Sequence, residues 1–181
     1  MGCKIKVIGR KIIIDGASPK NKIINHNIIF DRIEAGTYLV AGTLAGNKIK
    51  IKQIKPKILN FELQILRKMG VKMKLEKNSI LISKTKNLKK TSLITKPYPG
   101  FPTDLQAQFM VLMTQANGLS KIKENIFENR FMHVPELKRM GANIEIKNKT
   151  AYINGPSQLT GAEVMATDLR ASVSLVLAGL I

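Results

Sequence analysis

The sequence predicts an α/β fold in which buried helices are surrounded by outer sheets, and three observations predict it. An acidic residue opens an apolar, helix-like run at three places, namely Asp31, Asp104 and Asp168. A Met-Gly pair followed by an alternating segment recurs at residues 1–2, 69–70 and 140–141. Repetition at a period of roughly 70 residues indicates equivalent structural units packed side by side. The alternating segments place Lys beside Ile, whereas the apolar runs have almost no polar face.

Each complete unit reads strand, helix, strand, helix, strand, strand (βαβαββ). Its last two strands form hairpins, which we predict at residues 4–15, 71–83 and 143–154. The turns of these hairpins fall at residues 9–10, 77–78 and 148–149. The second and third hairpins follow helices that end in Met-Gly. A glycine at that place favours the left-handed conformation that stops a helix.

The first helix of each unit is apolar or small on nearly every side, as at residues 38–44, 109–113 and 173–178. A helix without a polar face belongs in an interior, and strands that alternate Lys with Ile need one face in water. We therefore expect buried helices and outer sheets, the reverse of most α/β folds. The third unit stops just after its helix, so the sequence reads as a piece of a larger protein.

The starts of these helices carry capping signals. Asp31 to Glu34 and Thr103 to Gln106 both have the spacing of a capping box. An acid at a helix start can simply accept hydrogen bonds from the free amides there. We favour that role for Asp31. For the two later acids the residues alone leave capping and chemistry open.

The 181 residues carry a formal net charge of +18, and 44% of them are hydrophobic. This content is enough for a core and argues against disorder. The charge is compatible with phosphate-rich partners. However, the lysines are scattered singly between isoleucines and aromatics make up 5% of the chain. A surface that binds single strands usually interleaves basic and aromatic residues, so we favour solvated strand faces and do not expect nucleic acid as a partner.

Cys3 is the sole cysteine, so no intramolecular disulfide can form. Its equivalents in the other units are Val71 and Ala142, which favours a small apolar strand residue over a nucleophile. The start of the chain has no apolar leader run, and its longest apolar stretch is shorter than the roughly 20 residues that span a bilayer. We expect a soluble cytoplasmic protein without a membrane partner.

Four segments carry a resemblance to a known family. They are residues 31–37 (DRIEAGT), 99–108 (PGFPTDLQAQ), 127–137 (FENRFMHVPEL) and 165–172 (MATDLRAS). Together they closely resemble the bacterial UDP-N-acetylglucosamine enolpyruvyl transferases. They are less similar to the sister family that makes 5-enolpyruvylshikimate-3-phosphate. In register, the resemblance spans essentially the whole chain.

The resemblance implies a two-lobed enzyme in which each lobe is an inside-out α/β barrel of three such units, here incomplete at both ends. Enzymes of this family transfer enolpyruvyl from phosphoenolpyruvate to the 3-hydroxyl of UDP-N-acetylglucosamine and release phosphate. This is the committed step toward peptidoglycan, and no metal or organic cofactor is expected. Residues 1–28 would be the last hairpin of the first lobe, and residues 29–181 most of the second lobe without its final strands. The loop that carries the family's reactive cysteine has no counterpart here. We therefore expect little activity from this chain alone, and a complementary half as a partner.

The resemblance also implies residue roles. Asp104 would bind the sugar hydroxyl, as candidate general base and, more importantly, as an orienting group. Arg130 and Arg170 would face the phosphate and carboxylate of phosphoenolpyruvate, because a planar guanidinium matches oxyanions bidentately. Asp168 would sit near the reacting carbon. The backbone of Ile126 would contact the nucleotide sugar.

Other assignments stay open at this level. Asp31 and Arg32 are predicted at the junction of the lobes, in contact with substrate. Arg130 could instead form an ion pair with Glu128 or Glu136. His133 is taken as a helix-flank residue rather than a metal ligand, because no second His or Cys is near in sequence. We expect Asp104 and Arg130 to project from separate units into one polar crevice. Alternatives to the enzyme are a basic nucleic-acid-binding module and a non-functional gene remnant.

Overall fold

The computed structural model describes residues 3–16, 25–46, 48–166 and 168–181. Within them the helices are α1 Arg32–Leu44, α2 Asn60–Lys68, α3 Gln106–Thr114, α4 Val134–Arg139 and α5 Leu169–Ala178. The strands are β1 Lys4–Ile8, β2 Lys11–Asp15, β3 Ile49–Lys52, β4 Met73–Glu76, β5 Ser79–Ile82, β6 Leu88–Lys89, β7 Ser92–Ile94, β8 Ala116–Lys123, β9 Ile144–Lys147 and β10 Thr150–Gly155. The predicted unit βαβαββ is found in the second repeat, where β6 and β7 precede the elements α3–β10. The first repeat has the same order from α1 to β5, but no strand directly precedes α1 in residues 25–31.

The strands form three separate sheets. The hairpin β1–β2 stands by itself, and β3, β5 and β4 form an antiparallel sheet in that order. In the third sheet β8 and β9 flank β10 in antiparallel pairing, while β6 and β7 pair with β8 in parallel. All three predicted hairpins are confirmed, with the turns at the expected places. The described sheets do not close into a barrel.

The hairpin β1–β2 is exposed on both faces. Cys3 directly precedes it and is also exposed, although the equivalent Val71 and Ala142 are buried. The prediction of Cys3 as an apolar strand residue is therefore wrong, since no other element covers this hairpin among the described residues. The first Met-Gly pair, at residues 1–2, lies outside the described residues.

The two Met-Gly helix ends behave as predicted. Met69 caps α2 and Met140 caps α4. Gly70 follows with a φ of +83° and Gly141 with a φ of +98°, both in the left-handed region that favours glycine. At each place the chain reverses from a helix into a hairpin.

The core is centred on α3. Every residue of this helix is buried, as predicted from its lack of a polar face. Phe109 packs edge-on against Phe101, with ring centroids 4.8 Å apart, and Phe61 of α2 contacts the other edge at 6.3 Å. In β3, Lys50 and Lys52 are exposed while the alternate isoleucines pack toward the core. Helices therefore lie inside and sheets outside, as the sequence predicts.

Helices α1 and α5 both pack on α3 and leave an open groove between them. The groove encloses about 610 Å³ and has mostly apolar walls, including Tyr38, Val173 and Val176. Outside the groove, Glu62 of α2 forms an ion pair with Arg32 of α1, and α4 contacts α5. Among the residues the structure describes, no helix is long and apolar enough to cross a membrane.

Two of the three acids at the helix starts act as caps; this was predicted for Asp31 and left open for Asp168. Asp31 accepts from the amides of residues 33 and 34, at 2.7 and 3.1 Å, and so caps α1. Asp168 caps α5 in the same way. The box predicted from Thr103 to Gln106 is wrong. Residues 103–105 form a 3₁₀ turn ahead of α3, and the Thr103 hydroxyl donates to Glu124 instead.

Candidate active site

Asp104 joins two arginines that are far apart in the sequence. Its Oδ1 accepts from Arg130 Nη2 at 2.7 Å and from Arg170 Nε at 2.5 Å. Asp104 lies in the 3₁₀ turn before α3, Arg130 lies just before α4, and Arg170 is in the first turn of α5. We call these three residues the Asp104 cluster. Charge-assisted bonds of this length are the strong class of hydrogen bond.

Asp104 and Arg130 are therefore in contact, but they do not come from separate units and they line two different concave surfaces rather than the one predicted crevice. Both residues belong to the middle unit, and Arg170 supplies the contact from the third. The alternative partners of Arg130 are engaged elsewhere: Glu128 lies 3.6 Å from Lys149, and Glu136 contacts Arg139. The sequence could not settle this point because Glu128 and Glu136 are both closer to Arg130 in the chain than Asp104, which is 26 positions away.

Arg130 is the most enclosed member of the cluster, with 18% of its side chain exposed. Its guanidinium stacks over Phe127, 4.9 Å from the ring centroid. A guanidinium fixed by both a carboxylate and an aromatic face loses little freedom when it binds an oxyanion. Asp104 and Arg170 are 38% and 41% exposed, so the cluster remains accessible from solvent.

Asp168 lies beside the cluster but its side chain is used as a helix cap. Its Oδ1 accepts from the Arg170 amide at 2.7 Å and from the Ala171 amide at 3.0 Å. The Ala171 amide above all lowers the pKa of Asp168, and the guanidinium groups of Arg130 and Arg170 act in the same direction. Asp168 is consequently a fixed negative charge at neutral pH rather than a proton donor.

His133 is buried next to these charges, with 3% of its surface exposed. Burial lowers its pKa from 6.5 to about 4; Asp168 opposes this shift and Arg130 adds to it. Its Nε2 has no hydrogen-bond partner among the described residues. The sequence placed His133 correctly beside a helix, at the first residue before α4, but gave no sign that the imidazole is buried and neutral.

Ile126 lies in the turn that follows β8. Its amide donates to Glu124 Oε1 at 2.8 Å. A backbone contact from Ile126 to a substrate would therefore come from its carbonyl oxygen. Glu124 is 2% exposed and was missed by the sequence reasoning, because nothing in an exposed-looking run of polar residues marks one carboxylate as buried.

Arg32 is not part of the Asp104 cluster. Its Nε lies 2.7 Å from Glu62 Oε1, its Nη2 donates to Gly100 O at 2.9 Å, and its guanidinium stacks on Tyr98 at 5.1 Å. Burial raises the pKa of Glu62, while Arg32 opposes the rise. These internal contacts engage the Arg32 guanidinium within the chain, and its contact with substrate stays a prediction. Its neighbour Asp31 does face the groove that Asp104 lines.

The cluster separates two concave surfaces. Arg130 lines a depression of about 710 Å³ between the segment after β8 and the β9–β10 turn. Asp104 and Arg170 line the α1–α5 groove. Two guanidinium groups facing one carboxylate can bind oxyanions and can orient a hydroxyl donor. The described residues hold no group of three or more His, Cys, Asp or Glu side chains suited to a metal ion.

Comparison with known proteins identifies the family. The sequence profile described as EPSP synthase (3-phosphoshikimate 1-carboxyvinyltransferase) matches residues 1–181. The chain belongs to this family. It is 54% identical over 181 residues to a UDP-N-acetylglucosamine 1-carboxyvinyltransferase of Pelagibacter ubique, covering 99% of this chain and 43% of that protein. The enzyme of the same name from Histophilus somni is 50% identical over 182 residues, with 100% and 43% covered.

Solved structures agree. The enolpyruvyl transferase NikO from Streptomyces tendae superposes with a TM-score of 0.86 at 29% identity, over 99% of this chain and 43% of that one. EPSP synthase from Acinetobacter baumannii gives 0.71 at 20% identity, which shows the fold alone. The family resemblance predicted from the sequence is confirmed, and its members are transferases. The chain spans less than half the length of these relatives.

Proposed function

We propose that this chain is the part of a UDP-N-acetylglucosamine enolpyruvyl transferase that carries the Asp104 cluster. In the proposed reaction the 3-oxygen of the sugar forms a bond to C2 of phosphoenolpyruvate. The C2–O bond to phosphate breaks, the hydroxyl proton is removed, and inorganic phosphate leaves. The observation that carries the proposal is that Arg130 and Arg170 both converge on Asp104 Oδ1, in a chain whose relatives bear that enzyme's name.

The two arginines suit the donor substrate. Phosphoenolpyruvate brings a phosphate and a carboxylate, and each guanidinium has five N–H donors of which Asp104 uses one. The remaining donors are free to bind oxyanions and to stabilise the charge of the departing phosphate. Asp104 would accept the hydrogen bond of the 3-hydroxyl and orient its oxygen. Positioning of this kind accounts for a large share of enzymatic rate.

Asp168 and Ile126 have supporting roles in this proposal. Asp168 stays ionised because helix amides hold its pKa low, so we assign it an electrostatic role near the reacting carbon. The Ile126 carbonyl is the proposed contact to the nucleotide sugar. Asp31, on the far wall of the groove from Arg170, is proposed at the junction with another lobe.

The organisation of the complete enzyme is likewise a proposal. Residues 1–28 would belong to the first of two lobes and residues 29–181 to the second, which would close as an inside-out barrel when its remaining strands are present. The reaction would begin peptidoglycan synthesis in the cytoplasm. A chain that spans 43% of the length of its relative would present only part of the proposed cleft and would not orient both substrates. We expect negligible phosphate release when the pure chain is mixed with both substrates.

Ligand binding tests the proposal without requiring turnover. A ligand at ten times its dissociation constant stabilises a folded protein by about 1.4 kcal/mol. We therefore expect UDP-N-acetylglucosamine to raise the melting temperature of the chain, and Asp104→Ala to abolish the shift. UDP-glucose, which lacks the acetamido group, is the matched control. An equal shift with both nucleotides, or none with either, would contradict the proposed substrate. Binding of random duplex DNA in an electrophoretic mobility-shift assay, with an affinity that falls steeply as salt is added, would favour the nucleic-acid alternative instead.

A further inference from the structure

We infer that Glu124 is a positioning residue that holds the turn bearing Asp104 against the turn bearing Ile126. Glu124 touches neither arginine of the cluster. It acts through hydrogen bonds to the two backbone segments that present the proposed substrate contacts. The inference rests on the proposed function for its ligand, but its geometry stands independently.

The Glu124 carboxylate accepts four hydrogen bonds. Oε1 accepts from the amides of Ile126 and Phe127, at 2.8 and 3.2 Å, and from Thr95 Oγ1 at 2.7 Å. Oε2 accepts from Thr103 Oγ1 at 2.9 Å. With 2% of the residue exposed, water contributes little to its solvation. A buried carboxylate is tolerated when its lone pairs are satisfied in this way.

The four donors come from three different parts of the chain. Thr95 follows β7, Thr103 opens the 3₁₀ turn, and the two amides belong to the turn after β8. Thr103 directly precedes Asp104, and Arg130 is four residues beyond Ile126. Glu124 therefore ties both ends of the Asp104–Arg130 contact to one point. Its own amide donates to Lys149 O at 2.8 Å, which fixes that point to the β9–β10 hairpin.

The chemistry of the side chain explains why a carboxylate stands here. An ionised carboxylate is an acceptor only, with about four lone-pair sites, and it faces four donors. In a glutamine, an NH₂ group placed where Oε2 lies would face the Thr103 hydroxyl. That hydroxyl would then have to accept a hydrogen bond instead of donating one. No Lys, Arg or His of the described residues lies within ion-pair distance of Glu124, so hydrogen bonds alone stabilise its charge.

The test compares three variants of the 181-residue chain. Glu124→Gln replaces the carboxylate acceptor with an amide. Thr103→Val removes only the hydrogen bond from Thr103, the residue before Asp104, to Glu124. Ser120→Ala is the matched control. Ser120 is fully buried on β8 and its Oγ accepts from the Thr91 amide at 3.3 Å, so it shares the burial of Glu124 but not its connections. If Glu124→Gln fails to fold, Thr103→Val still carries the test because three of the four donors remain.

Two readouts are needed, both from nuclear magnetic resonance. The first is the dissociation constant of UDP-N-acetylglucosamine. We expect it to rise at least tenfold in Glu124→Gln and at least fivefold in Thr103→Val, but less than twofold in Ser120→Ala. The second, taken without ligand, is the resonance position of the Asp104 amide and the Arg130 guanidinium. We expect both signals to move in Glu124→Gln and Thr103→Val and to stay in place in Ser120→Ala.

The outcomes separate the inference from the proposed function. Losses of affinity that merely follow the melting temperature in all three variants would overturn the positioning role and leave the function intact. If the wild-type chain fails to bind the sugar nucleotide, the proposed function of this chain is contradicted. The spectra without ligand then decide alone. A change in the resonance positions of both Asp104 and Arg130 in Glu124→Gln and Thr103→Val supports the inference, and unchanged positions overturn it.

Discussion

Arg170 contacts Asp104 across the boundary between two repeat units, with Nε 2.5 Å from Oδ1, although the two residues are 66 positions apart in the sequence. Arg170 is presented by the first turn of α5, and Asp104 by the turn that leads into α3. Helices α3 and α5 pack directly against each other. The packing of two buried helices is thus what creates the charged cluster at their amino-terminal ends.

The cluster should contribute measurably to stability. Asp104→Asn removes the negative charge between two guanidinium groups, which then repel each other. Because these side chains are 18% to 41% exposed and solvent screens the charges, we expect a loss of only about 1–2 kcal/mol in the free energy of unfolding. Urea denaturation measures it.

The control for this variant is Glu145→Gln. Glu145 lies 3.1 Å from Lys147, and both side chains are about two-thirds exposed. An exposed ion pair of this kind contributes roughly 0.2–1 kcal/mol at most, so we expect a smaller loss than for Asp104→Asn. Equal losses would show that the convergence of two arginines adds nothing.

His133 should make stability depend on pH in acid. Its pKa is about 4 in the folded chain and near 6.5 when unfolded, so between these values the unfolded state binds more protons. Stability is fully present above about pH 6.5 and falls as the pH drops toward 4. A shift of this size corresponds to about 3 kcal/mol over the window.

Replacement of the imidazole tests the assignment. We expect His133→Asn to flatten the pH dependence of the unfolding free energy between pH 4 and 6.5. His26→Asn, at the other histidine, which is exposed, should leave the slope unchanged. The same slope in wild type and His133→Asn would assign the pH dependence to other groups.

Substitution by alanine should destabilise the fold by different amounts at glycines 70, 141 and 161. At Gly141 an added Cβ would lie 2.9 Å from Gln158 O, and φ is +98°. At Gly70 φ is also positive, but the nearest atom is Lys89 Cγ at 4.0 Å. An alanine held at a positive φ lowers the free energy of unfolding by about 1 kcal/mol, and a clash of its Cβ with backbone atoms lowers it further.

We therefore expect thermal unfolding to show the largest destabilisation for Gly141→Ala and about 1 kcal/mol for Gly70→Ala. Gly161→Ala is the control, because its Cβ would meet nothing within 4 Å and its φ is not positive. A loss at Gly161 as large as that at Gly141 would contradict this account of the Met-Gly helix ends.

The α1–α5 groove should promote association. It exposes 68% of Val176 and 53% of Tyr38, and an apolar patch of this kind commonly binds another surface. We expect the chain to self-associate in sedimentation velocity and Val176→Lys to reduce the association. Ile94→Lys, a 40% exposed site on β7 outside the groove, should not. Equal effects of both variants would remove the groove as the cause.

Much of the fold could be predicted because the signals are local. Alternation of Lys and Ile fixes which strand face meets water, and a Gly after Met fixes where a helix stops. Asp31 was predicted as a cap from its distance to the next few amides. The prediction for Thr103 failed for the opposite reason. Its hydroxyl has a partner, Glu124, that lies 21 residues further along the chain and competes with the local amides.

By itself, the sequence determined the repeated units, the buried helices and the family, and it singled out the candidate site residues. These depend on periodicity and on motifs whose residues are close together in the chain. Tertiary structure alone decided that Arg170 joins Arg130 at Asp104, that Arg32 turns away to Glu62, and that His133 is buried. The physical reason is that desolvation and ion pairing depend on which elements pack against each other, and that packing is not encoded in any one segment.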